Sequence, residues 1–94
     1  MRLTNEEIAT IKNSVLTLDV DADVYLFGSR VDDTKRGGDI DLLIKSTKLT
    51  RRDLRTIRGQ FFDSFGEQKV DLVLDAGDSN NAFINMIEPE AIKL

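Results

Sequence analysis

The chain has no cysteine, no histidine and no tryptophan, and a single proline and a single tyrosine. Without cysteine there can be no disulfide and no thiolate zinc site. Without histidine the commonest general base is missing, so acid–base chemistry falls to carboxylates or lysine. A bound metal would have to accept oxygen donors alone, which selects hard cations such as Mg²⁺ or Mn²⁺. No apolar run approaches the roughly 20 residues of a membrane span, and Met1-Arg2-Leu3 starts no signal-peptide pattern. A cytoplasmic protein with no membrane association is therefore expected. Positive charge is also in short supply: 13 Lys and Arg stand against 17 Asp and Glu, for a net charge of −4. That balance disfavours wrapping long nucleic acid, which wants a basic surface.

What is present fits one small domain over residues 1–94, with room for one core of two layers. Thr4 and Glu7 have the spacing of a capping box, and Ile8, Ile11, Val15 and Leu18 follow at helical spacing, which predicts a helix over 5–18. The acidic stretch 19–23 resembles the start of a calcium loop. Val24 stands where the loop needs glycine and Arg30 where it needs glutamate, so it reads as a turn. Residues 24–27 form a β-rich run that ends at Gly28-Ser29. The polar segment 30–38 follows, closing on Gly37-Gly38. A second strand is expected over 40–45 and a third over 70–75.

Between those two strands, Thr50 with Asp53 gives another capping pair. Leu54, Ile57, Phe61, Phe62 and Phe65 mark a helical buried stripe, and Gly66 ends it. Arg51, Arg55 and Arg58 fall on a different face, either solvated or a contact surface for an acidic partner or polyphosphate. Residues 82–88 predict a short helix with Phe83, Met86 and Ile87 inward, limited by Pro89. The apolar tail 91–94 either docks on the domain or joins an interface. The class expected is α+β: a short, mixed three-stranded sheet covered by helices, in the order α-β-β-α-β-α.

The polar features of this chain gather at one place. Asp39 and Asp41 alternate at the mouth of the second strand and so project to one face, opposite Ile40, Leu42 and Ile44. A ten-residue connection makes strands one and two antiparallel neighbours, and a helical crossover makes strands two and three parallel. Gly28-Ser29, Asp39, Asp41 and Asp71 then share one edge. Each has a plainer reading alone: a turn, a solvated strand start, a charged connector. Together they describe a phosphate-cradling turn beside three carboxylates, which suits metal-assisted chemistry on a nucleoside triphosphate.

Gly28-Ser29, a spacer, Asp39-Ile40-Asp41 and a third aspartate, Asp71, on a later strand resemble the DNA polymerase β-type nucleotidyltransferase superfamily. More narrowly, they resemble its minimal nucleotidyltransferases. The resemblance implies transfer of AMP from ATP to a hydroxyl with two Mg²⁺ ions, or Mn²⁺ in their place. It implies that Asp39, Asp41 and Asp71 hold metal and carry catalysis, and that Gly28, Ser29, Arg30 and Gly38 bind the nucleotide. It also implies an all-helical HEPN-type partner that is both toxin and acceptor, the chain being its antitoxin. Two other functions compete: a binding antitoxin that neutralises by contact, and a small-molecule transferase of the aminoglycoside type completed by a homo-oligomer.

Overall fold

The computed structural model describes residues 3–28, 39–66, 69–77 and 81–94. Helix α1 (Asn5–Leu18) begins at a reciprocal cap. The Thr4 hydroxyl accepts from the Glu7 amide at 3.1 Å, and the Glu7 carboxylate accepts from the Thr4 amide at 3.0 Å. Two donors that a helix start leaves orphaned are thereby satisfied. Helix α2 (Arg51–Phe65) repeats the device with Thr50 and Asp53. It stops at Gly66, whose φ of 78° is a conformation that suits glycine, while its amide donates to Phe62 O at 2.7 Å.

Strands β1 (Asp23–Phe27), β2 (Ile40–Lys45), β3 (Val70–Asp75) and β4 (Ile92–Lys93) form one mixed sheet in the order β3-β2-β1-β4. β1 and β2 are antiparallel, and β2 and β3 are parallel across the α2 crossover, as the connection lengths require. The fourth strand departs from the three expected. Tail residues pair antiparallel with β1, the Leu94 amide donates to Val24 O at 2.9 Å, and the Leu94 side chain packs on the core. β1 would otherwise present a row of open backbone groups, and the tail covers them. Two residues are too few to show strand alternation, so no sequence pattern announces this element.

Helices α1 and α2 cover one face of the sheet. Ile11, Val15, Leu26, Ile40, Leu42, Ile44, Ile57 and Phe61 are buried between them. Each such side chain is worth about 1.5–3 kcal/mol relative to exposure. Among the described residues, the opposite face is covered in part, by helix α3 (Ala82–Ile87) and the 3-10 turn Glu88–Glu90. There Phe27, Leu43 and Ile84 make a smaller cluster. An ion pair from Lys45 to Glu88 ties the turn to β2.

The structure corrects the expected facing of α3. Ile84 points inward, Ile87 is half-buried, and Phe83 and Met86 remain 45% and 67% exposed. The Asn81 side chain accepts from the amides of Phe83 and Ile84 and so sets the helix phase. A six-residue helix in that phase has only one fully buried position. Leu18, at the end of the α1 stripe, is likewise 40% exposed.

Candidate active site

Asp41 has Phe27 as its partner on β1 and Asp71 as its partner on β3. Residues opposite one another across adjacent strands project to the same face. Asp41 and Asp71 therefore stand side by side on the face that α1 and α2 leave open, and Asp39 joins them two residues upstream. Gly28 closes the group from the β1 side. Its φ is 78°, and a Cβ there would collide with Asp41 Oδ2 and lie 3.2 Å from Asp41 Cγ. Glycine is thus required twice, by conformation and by the approach of a carboxylate to the backbone.

The electrostatics follow from this crowding. Burial, the negative charges of Asp71 and Asp39, and a hydrogen bond with Asp71 all raise the Asp41 pKa; the nearby Lys69 works against them. Asp39 and Asp71 are about half exposed, 48% and 50%. The Lys69 ammonium lies 3.4 Å from Asp39 Oδ2 and 3.9 Å from Asp71 Oδ2. Its hydrogen bond to Asp39, and then the charges around it, raise its own pKa. Arg58 is half-buried, and its Nε donates to Val70 O at 3.0 Å, bracing α2 against the start of β3. It is therefore not part of a solvated face with Arg51 and Arg55, which are exposed.

Of the residues expected at the site, Gly28, Asp39, Asp41 and Asp71 are brought together. Ser29, Arg30 and Gly38 lie outside the described residues. Lys69 was not anticipated. A lysine before a strand is ordinary in sequence, and only the parallel register of β2 and β3 puts it beside Asp39.

Three carboxylates with no nitrogen or sulfur donors match the preference of a hard divalent cation such as Mg²⁺ or Mn²⁺. Among the described residues, no three His, Cys, Asp or Glu side chains stand in a metal-holding arrangement. Asp39 and Asp71 instead have oxygens within ion-pair distance of Lys69.

Among the described residues, two hollows lie against the sheet. One, of about 250 Å³, adjoins the carboxylates and is lined by Phe27, Gly28, Met86, Ile87 and Glu90. The other, of about 220 Å³, lies at the far end of β2 and β3, beside Asp19 and Ser46. There the Ser46 hydroxyl donates to Asp19 and accepts from the Leu49 amide, while Asp19 accepts from the Asp21 amide. Satisfied groups of this kind brace loops, and we read the second hollow as structural.

Among the described residues, no helix is long and apolar enough to cross a membrane. No curated protein matches the chain. Residues 8–93, which run from within α1 to the end of β4, match the nucleotidyltransferase domain. With that match covering nearly the whole sequence, the chain belongs to the nucleotidyltransferase domain family, whose reaction is nucleotidyl transfer from a nucleoside triphosphate.

Proposed function

We propose that the chain moves AMP from ATP to a hydroxyl of a helical, HEPN-type partner protein and thereby acts as an antitoxin. The observation that carries the transferase reading is the register Phe27–Asp41–Asp71, which assembles carboxylates from two strands beside Gly28. Asp39, Asp41 and Asp71 are the residues that would hold Mg²⁺ or Mn²⁺. When bound there, the ion neutralises charge on the triphosphate and acidifies the attacking hydroxyl.

The acceptor oxygen forms a bond to the α-phosphorus, the bond from that phosphorus to the bridging oxygen breaks, and pyrophosphate leaves. An Asp71 carboxylate oxygen takes the hydroxyl proton. Gly28 lets the nucleotide approach the backbone, and the hollow between Phe27 and Met86 receives the nucleoside. The exposed Phe83 and Met86 flank this face and favour an acceptor that covers apolar surface, a protein rather than a small polar molecule.

The test is the intact mass of the partner, or of lysate proteins, after incubation with the chain, ATP and Mg²⁺. A gain of AMP units that disappears with Asp39→Asn is the expected result. No gain with any nucleotide, together with a stable complex between the chain and its partner, would replace this reading with that of an antitoxin acting by contact.

A further inference from the structure

Lys69 enters the carboxylate group by construction. Its carbonyl accepts from the Ile40 amide at 2.9 Å, which extends the β2–β3 pairing by one residue. The lysine backbone is therefore fixed beside Asp39, while its side chain stays 67% exposed. Among the described residues, it is the only cation within 4 Å of Asp39, Asp41 or Asp71.

We propose that Lys69 is a resident counter-ion: its ammonium spans Asp39 and Asp71 in the metal-free protein and is displaced when a divalent cation binds these carboxylates. This rests on the metal-binding reading of the three aspartates given above. Carboxylates crowded at one strand mouth repel one another unless positive charge stands among them. Lysine suits that place because its charge is compact and its stem is flexible. Ion pairs this exposed hold weakly, so the ammonium swings into water at little cost. The competition with metal is direct, because an oxygen engaged with the ammonium is less available to a cation. Lys69 is thus a positioning residue that keeps the site assembled before loading and moderates its affinity.

The experiment is Mn²⁺ titration of the purified full chain by calorimetry and by electron paramagnetic resonance, at fixed pH and ionic strength. It compares wild type, Lys69→Met, Lys69→Arg and Asp41→Asn. Lys69→Met is expected to bind Mn²⁺ about fivefold tighter, the size of one water-screened charge a few ångströms from the carboxylates. Lys69→Arg, which keeps the charge, is expected to stay near wild type. In chelator Lys69→Met should melt below wild type, and saturating Mn²⁺ should close that gap. Equal or weaker Mn²⁺ binding by folded Lys69→Met overturns the proposal alone. If that variant does not fold, Lys69→Gln carries the same test. Absence of Mn²⁺ binding by wild type, or binding that survives in Asp41→Asn, overturns the proposal and the metal reading together.

Discussion

Single residues at the sheet edge work against folding and, on the proposed reading, for chemistry. Asp41 illustrates the conflict through its raised pKa, caused first by burial and then by Asp71 and Asp39. A carboxyl whose folded pKa lies above its ordinary value of 3.8 binds more protons when native than when unfolded. Stability without metal therefore falls as pH rises from about 3.8 through the raised value. Asp41→Asn removes this penalty. The variant should match wild type in acid and melt higher at neutral pH in chelator, the gap opening as Asp41 ionises. Thermal scans across pH check this, and a gap that stays constant with pH would refute it. On the proposed reading, the same variant should lose transfer activity by roughly 10²-fold or more, since it would weaken the group proposed to hold the ion. Gly28→Ala should cost about 1–3 kcal/mol in urea unfolding, through positive φ and the collision with Asp41. It should reduce transfer further by displacing that carboxylate.

Among the elements, α2 joins the two strands that carry the aspartates, so its limits set where Asp71 begins. Thr50→Ala should lower stability by about 1 kcal/mol, the usual worth of a lost N-cap, with transfer per folded molecule unchanged. Phe61→Ala should cost about 3–5 kcal/mol, because its ring is buried between α2 and the sheet. Chemical denaturation of both variants checks the ranking. Both caps and the limits of α1, α2, β2 and β3 were legible in sequence, because capping boxes, Gly66 and apolar periodicity are local signals. The facing of α3 was not legible. Phe83, Ile84, Met86 and Ile87 are all apolar, and their order does not show which one the Asn81 cap turns inward.

For the whole molecule, the decisive fact is how unequally the described helices cover the two faces of the sheet. Among the described residues, two helices close one side of the sheet and the short α3 closes part of the other, where Asp39, Asp41 and Asp71 are half-buried. The tail contributes from the opposite edge, where β4 pairs β1. Leu94→Ala should cost about 1–2 kcal/mol, less than a fully buried leucine, because Leu94 is only partly buried on the core. Its midpoint in urea should fall while transfer per folded molecule stays constant. A selective loss of transfer would instead make the tail part of the site.

The sequence by itself determined the alternation, the caps and the connection lengths. From these came the helices, three of the four strands, the antiparallel and parallel pairings, and the meeting of Gly28 with Asp39, Asp41 and Asp71. All of these rest on rules that act within a few residues or on the reach of a connection. Tertiary structure decided what depends on neighbours far along the chain. Pairing of the tail with β1 made the fourth strand, because an open edge needs backbone partners wherever the chain supplies them. Docking of α3 chose Ile84. Arg58 left the solvated face once the Val70 carbonyl stood within its reach. Lys69 acquired its place beside Asp39 and Asp71 only when β2 and β3 came into register, since a long-range contact has no signature in the residues adjacent to it.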